Sequence, residues 1–354
     1  MKVMHYYTYP ENAGGPLTYI NNIMESEYLS DIEFSVCYQG KPASKIKKTD
    51  IRRIISDIKI FSPDILHIHG VQSEGFIGVY AGKKAQVPHI LMTVHGLQID
   101  AQNINTIKRM LFKYLIEPYA LRNSDAVYCV CDEMTRRSFI KKHSRILLPT
   151  IHNFITNKFL EMQVKDIGDK SDKIIVATVG RVSYDKGMYE LEEVIRSDTN
   201  DNVQYWVIGS GEYEDKMKVN LSPQIKSGKV IFWGQQKEVK AFVSKADIFL
   251  CLSHHENLSI ALLEAASQKC CCIATNVGGN PEVISTGIDG ILVPPMDAKS
   301  ALCSLNKVIF DYEYRQKLSE NLYNKVISEY GEKTFGKRLL TVYSSMDTQE
   351  KRKR

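Results

Sequence analysis

"SHHENLSIALLEAASQKCCCIATNVGGNPEVI", residues 253–284, runs from a short helix through an apolar strand to a glycine-rich turn. It carries Glu256 at the mouth of the helix and Glu264 eight residues on, both in an otherwise apolar run. At about 100° per residue, eight residues leave two side chains about 80° apart and about 12 Å along the axis. Such carboxylates are too distant to share one proton. They read as two contacts on one long ligand rather than as a paired acid and base.

The same alternation extends outward in both directions. Apolar runs fall at MKVMHYYT, FSVCYQ, DILHIHG, HILMTVHG and AVYCVC, separated by segments of helical period. The pattern restarts with KIIVATVG, VQYWVIGSG, VIFWG, DIFLCLS, CCIATN and GILV. Apolar strands each followed by a helix imply parallel sheets covered on both faces. The fold class expected is α/β, with two doubly wound, Rossmann-like domains at 1–156 and 173–330. The polar stretch 157–172 is the expected linker. A helical segment with no strand closes the chain; 331–354 is its last helix and basic tail, which either finishes the second domain or crosses back to the first. Ligands of such sheets bind beyond the carboxyl ends of the strands, so two of them are expected to gather the site in a cleft.

Composition narrows the class. The chain has 354 residues, 44% hydrophobic and 25% charged, as in a globular protein of two ordinary domains. MKVMHYYTYP lacks the apolar core of a signal peptide and no run is long enough to span a bilayer, so a cytoplasmic location is expected. Of eight cysteines, Cys129 and Cys131 lie in a strand-like run and Cys270, Cys271 and Cys272 are consecutive. No pair recurs at zinc spacing, so buried free thiols are expected. The net charge of +5 owes four units to the terminal KRKR, a solvated tail; no nucleic acid partner is implied.

Three strand-to-helix turns bring glycine where a phosphate can approach the backbone. In YPENAGGPLTYI, Gly14 and Gly15 open a helix whose first turn tolerates Pro16. In VGRVSYDKG (179–187), Arg181 and Lys186 bracket a loop, a guanidinium fork and a point charge suited to a diphosphate. VIGSGE (207–212) lacks the third glycine of a dinucleotide fingerprint. No GKS or GKT and no Asp-x-Asp occurs, so nothing points to a Walker-type NTPase or to a carboxylate pair holding a metal–diphosphate complex; no metal or other cofactor is expected.

Taken together, the glycine pair, DILHIHG, TVHG, GR…KG and the E-x7-E element followed by ATNVGGNPEVI resemble family-4 retaining glycosyltransferases of the GT-B fold. The resemblance covers nearly the whole chain and is best over 174–295. It implies that Arg181 and Lys186 hold the diphosphate of a nucleotide-sugar donor. Glu256 then touches the transferred sugar and Glu264 the ribose, and the helix start at 257–260 points its N–H groups at the diphosphate. His95 lies beside the donor sugar, and Trp233 and Gly234 lie where such enzymes seat the base. The sequence departs from the commoner Gly-Phe-Gly after the first glutamate: Asn257, Leu258 and Ser259 stand there, which puts donor choice in doubt. Asn153 in HNFIT keeps only part of the family's Asn-Gly turn. His67 and His69, alternating on one strand, are expected to line the cleft.

The resemblance further implies transfer of a sugar to a glycan or lipid-linked acceptor with retention, without a metal, in cell-envelope polysaccharide synthesis. Two alternatives stand beside it: a sugar-nucleotide 2-epimerase, or a non-catalytic partner subunit that binds the nucleotide sugar. INTIKRMLFKYLIEPYALR (104–122) mixes Lys108, Arg109 and Lys113 with apolar residues. It either rests on the inner face of an anionic membrane or packs on the core with a solvated back, and the second is favoured.

Overall fold

The structure is a computed structural model that describes residues 1–8, 14–97, 105–164, 167 and 172–351. Residues 9–13 of the first glycine turn, 165–166 and 168–171 of the expected linker, Ile104 and the last three residues of the basic tail therefore lie outside the described residues. The chain forms two compact units, residues 1–153 with 332–354, and residues 154–331.

The first unit holds a parallel sheet of β1 (Lys2–Tyr7), β2 (Glu33–Tyr38), β3 (Ile65–His69), β4 (His89–Val94) and β5 (Ala126–Cys129), in the order β2-β1-β3-β4-β5. Its central strands are buried along nearly their whole length, as expected of strands covered by helices on both faces. Polar residues interrupt that core on one face: His5, His67 and Thr93 are fully buried and His69 nearly so.

The last helix, Glu332–Lys351, belongs to this unit. It buries Phe335, Leu339, Tyr343 and Met346, a stripe at helical spacing. Glu332 accepts hydrogen bonds from the Ser26 hydroxyl at 2.8 Å and the Glu27 amide at 3.0 Å. Tyr343 meets His67 Nδ1 at 2.7 Å.

The second unit is a six-stranded sheet of β6 (Ile174–Val179), β7 (Val203–Ile208), β8 (Val230–Gly234), β9 (Ile248–Cys251), β10 (Cys271–Thr275) and β11 (Ile291–Val293). The order is β11-β10-β9-β6-β7-β8, with parallel pairing throughout. Its core joins Val176, Val207, Ile248, Leu250 and Ile273 to Leu305 and Leu318 from the covering helices. Each such aliphatic side chain contributes about 1.5–3 kcal/mol by leaving water. Cys270, Cys271 and Cys272 are free and fully buried, small apolar residues of this sheet.

Two expectations need correction. The stretch 157–172 does not begin as a linker. Thr156 caps a helix at Asn157–Glu161, and Lys240 Nζ donates to the carbonyls of Leu160 and Met162, which secures this segment to the second unit. The 104–122 segment is not core-facing over its first half. A helix at Thr106–Leu111 passes into a π-helical turn at Phe112–Ile116 and back into α-helix at Glu117–Arg122. Pro118, Ala120 and Leu121 are buried, but Ile107, Met110, Leu111, Tyr114 and Leu115 are exposed. Among the described residues no helix is long and apolar enough to cross a membrane.

Candidate active site

The strand order of the second sheet decides which loops meet. The chain runs outward from β6 through β7 to β8, then returns to the far side of β6 to lay down β9. Loops leaving neighbouring strands at such a reversal frame a crevice at the carboxyl ends. The loop after β6 carries Arg181 and Lys186; the loop after β9 carries Glu256, Asn257, Leu258 and Ser259.

Lys186 Nζ donates to Glu256 Oε2 at 2.6 Å across that reversal. Burial by itself would lower the lysine's pKa, but the adjacent Glu256 carboxylate overrides it and the net direction is upward. The ammonium therefore stays charged. Arg181 behaves differently: its Nη2 donates to Asp185 at 2.9 Å, and the side chain is 60% exposed. Asp185 is itself fixed, accepting from the Ser183 hydroxyl at 2.6 Å, while its carbonyl accepts from the His254 amide. The two cations thus share a loop, each on its own carboxylate.

Two glycines allow the loops to close on each other. Gly187 has φ +71°, and a Cβ there would lie 1.9 Å from the Leu252 carbonyl oxygen. Gly278 has φ +52°, and a Cβ would lie 1.5 Å from the carbonyl oxygen of Glu256. No side chain fits at either place. Gly279 N–H donates to the Asn257 carbonyl at 2.5 Å, and Thr275 Oγ1 donates to the Ser253 carbonyl at 2.6 Å. Buried Asn280 completes the clamp through Nδ2 to the Thr275 carbonyl at 3.0 Å. The ATNVGGN stretch is therefore what fixes the backbone under Glu256.

Glu256 stands outside the helix rather than in its first turn. The helix is Ile260–Ser267, and Ser259 caps it by accepting from the Leu262 amide at 3.3 Å. The separation of the two glutamates drawn for one continuous helix is corrected accordingly, because Glu256 lies in the clamped loop before the helix begins at Ile260. Leu258 is buried. Glu264 lies inside the helix, half-buried, and burial pushes its carboxyl up to about 7.

Three further residues belong to the site. His254 Nε2 meets Glu190 Oε2 at 2.8 Å with both side chains almost wholly buried, and its ring stands edge-on to Tyr184. That pair ties the β9 loop to the helix Met188–Ser197. The sequence signal was a histidine directly before His255 and Glu256, but its partner depends on strand order and could not be read from spacing. The half-buried ring of Trp233 packs edge-on against Trp206 at 5.5 Å and Phe242 at 5.1 Å.

In the first unit, Gly14 and Gly15 open the helix Gly14–Met24. His95 follows β4, half-buried, with Nε2 3.2 Å from His69 Nδ1. His67 and His69 do share a face, but both are buried in the sheet's hydrogen-bond network rather than lining a surface. Nitrogens of His5, His67 and His69 lie within 4.8 Å of one another, close enough for a metal ion. Each of these rings already has a hydrogen-bond partner: His5 bonds His69, and His67 bonds Thr93 and Tyr343.

Comparison with known proteins agrees with this geometry. Residues 161–325 match the family described as glycosyl transferases group 1, and residues 23–131 match the glycosyl transferase 4-like family. The chain is 24% identical to the Escherichia coli UDP-Gal:alpha-D-GlcNAc-diphosphoundecaprenol alpha-1,3-galactosyltransferase, over 89% of this chain and 83% of that one. It is 22% identical to the capsular polysaccharide biosynthesis glycosyltransferase CapM of Staphylococcus aureus, over 84% of this chain and 83% of that one. The crystal structure of Anabaena HepE in complex with UDP-glucose superposes with a TM-score of 0.82 at 14% identity, covering 98% of this chain and all of that one. With a glycosyltransferase family model matched in each unit and the fold shared end to end, the chain belongs to the glycosyltransferases and has the GT-B fold.

Proposed function

We propose that the protein moves a hexose from a nucleoside diphosphate sugar to a lipid-linked glycan of the cell envelope, with retention of anomeric configuration and without a metal ion. The observation that carries the reading is the buttressed Lys186–Glu256 pair at the strand-order reversal, a charged lysine and a carboxylate 2.6 Å apart on loops clamped by Gly187 and Gly278. The relatives support the substrates: one acts from UDP-galactose on a diphosphoundecaprenol-linked sugar, and a solved structure of the same fold holds UDP-glucose.

In this reading Arg181 and Lys186 take the donor diphosphate, Glu256 the transferred sugar and Glu264 the ribose hydroxyls. His95 works on the transferred sugar. The bond from the anomeric carbon to the diphosphate oxygen breaks as positive charge grows on the sugar, and the two cations with the capped helix start stabilise the leaving oxygens. An acceptor hydroxyl attacks from the face that the leaving group vacates, and its proton passes to a phosphate oxygen. Glu256, already engaged with Lys186, is placed to position rather than to attack.

The exposed stripe at 107, 110, 111, 114 and 115, flanked by exposed Lys108 and Lys113, supports membrane contact in this reading. An apolar stripe rimmed with lysine is the form of a helix that lies in an anionic interface, where lipid-linked acceptors reside. The test is transfer from radiolabelled UDP-glucose, UDP-galactose and UDP-N-acetylglucosamine to N-acetylglucosamine-diphosphoundecaprenol, with and without EDTA. The expected result is an α-linked product at an EDTA-insensitive rate. A β-linked product, or loss of activity in EDTA restored by a divalent cation, overturns the mechanism.

A further inference from the structure

The face of the first sheet beneath His95 is not apolar. His5 Nδ1 lies 2.8 Å from His69 Nε2, and His69 Nδ1 lies 3.2 Å from His95 Nε2. The three rings form one line from the sheet interior to the end of β4, with His5 wholly buried and His69 1% exposed. His67, alongside, takes no part, since its two nitrogens are spent on Tyr343 and Thr93. We infer that His69, backed by His5, is a positioning residue that fixes which nitrogen of His95 carries the proton, so that His95 is held as the Nδ1–H tautomer. This deepens the assignment of His95 to the transferred sugar and rests on it.

The direction follows from accounting for hydrogens. Each nitrogen-to-nitrogen contact needs one N–H and one lone pair, and a neutral imidazole has one of each. The chain therefore has two polarities. If His95 Nε2–H donates inward, the line ends in a His5 Nε2–H; if His5 Nδ1–H donates outward, it ends in a bare His5 Nε2. That atom is buried with no hydrogen-bond partner. Buried N–H groups left unpaired are rarer than under-used acceptors, so the lone pair is left there and the chain donates outward. His69 Nδ1–H then donates to His95 Nε2, and the proton of His95 resides on Nδ1. Burial keeps all three rings neutral at pH 7, with His5 and His95 held down to about 3 and His69 well below its usual value.

The test reads tautomers directly. In side-chain ¹⁵N spectra of the unaltered protein, His95 is expected as Nδ1–H. His69→Leu should return it to Nε2–H, the form a free imidazole prefers. His69→Asn, whose amide can donate from the position of Nδ1–H, should restore Nδ1–H. UDP release from the fastest of UDP-glucose, UDP-galactose and UDP-N-acetylglucosamine should fall about tenfold in kcat for His69→Leu, the scale of one misdirected hydrogen bond, with KM little changed and most of the rate recovered in His69→Asn. An Nε2–H His95 in the unaltered protein overturns the inference without need of any variant. A normal rate for His95→Ala overturns the assignment of His95 to the sugar, whereas a slow His95→Ala beside a normal His69→Leu overturns the tautomer relay alone.

Discussion

Glu264 is the site carboxyl whose charge is in play at neutral pH, because burial holds it at about 7. If ribose hydroxyls donate to it, the bound state favours the ionised form, so donor binding must lower that value. Affinity then rises as pH climbs toward and through 7 and levels off above. UDP-glucose, whose diphosphate diester has no proton to exchange in this range, is expected to bind about tenfold more weakly at pH 6 than at pH 8 by calorimetry, one pH unit of linkage. Glu264→Gln should bind more weakly and lose the slope; an unchanged slope in that variant removes Glu264 from the donor site. Arg181 is tested by turnover instead: Arg181→Ala should lower transfer about a hundredfold, the scale of one preorganised charge lost at the leaving group. A near-normal rate in the folded variant would show that this exposed guanidinium serves only its 2.9 Å pair with Asp185. Motif spacing alone singles out both residues as candidates. His254–Glu190 and His5–His69 were not legible in the sequence, since each pair spans 64 residues and is made only by the strand order.

Elements carry the membrane prediction. The residues at 107, 110, 111, 114 and 115 recur at one helical face, and the π turn at Phe112–Ile116 keeps the apolar stripe outward while Phe112 is buried. Three aliphatic chains of that stripe entering the interface would supply several kcal/mol, with about 1 kcal/mol more from each nearby lysine. Sedimentation with phosphatidylglycerol vesicles is therefore expected, weakening about a hundredfold or more in Ile107→Ser/Leu111→Ser/Leu115→Ser. It should weaken in high salt for the parent protein, and equal binding to vesicles of neutral lipid would refute the basic contribution. The helix itself was readable from its period. Which side faced outward was not, because a buried and a membrane-facing stripe have the same spacing. The helix start expected at 257–260 falls at its last residue, Ile260, and the close approach of Gly278 to the Glu256 carbonyl holds that glutamate in the loop before it.

For the whole molecule, the repeated strand–helix pattern made two α/β units plain, since buried parallel strands read as unbroken apolar runs. The allegiance of the last helix was not plain, because its apolar stripe would suit either unit. A hydrogen bond across 306 residues, Ser26 to Glu332, records the outcome. That division has a consequence in acid. His5, His67, His69 and His95 all lie in the first unit, and burial keeps every one of them well below its usual value. Each is neutral when folded and takes up a proton on unfolding once pH drops below about 6.5, costing about 1.4 kcal/mol per pH unit apiece down to the folded pKa. Glu74, pushed up to about 7 by burial, works oppositely: its stabilising protonation is gained as pH falls from about 7 to about 4.5, which offsets one histidine. Glu264 gives the second unit the same acid-favouring sense. The first unit should therefore unfold first as pH is lowered from 6.5 toward 4. Both tryptophans of the chain, Trp206 and Trp233, lie in the second unit, so the two events have separate reporters. Far-UV circular dichroism is expected to lose part of its amplitude while tryptophan emission stays native, and His5→Phe with His67→Gln should move that first transition to lower pH. A single transition in which ellipticity and tryptophan emission change together would show that the buried histidines do not set the acid limit.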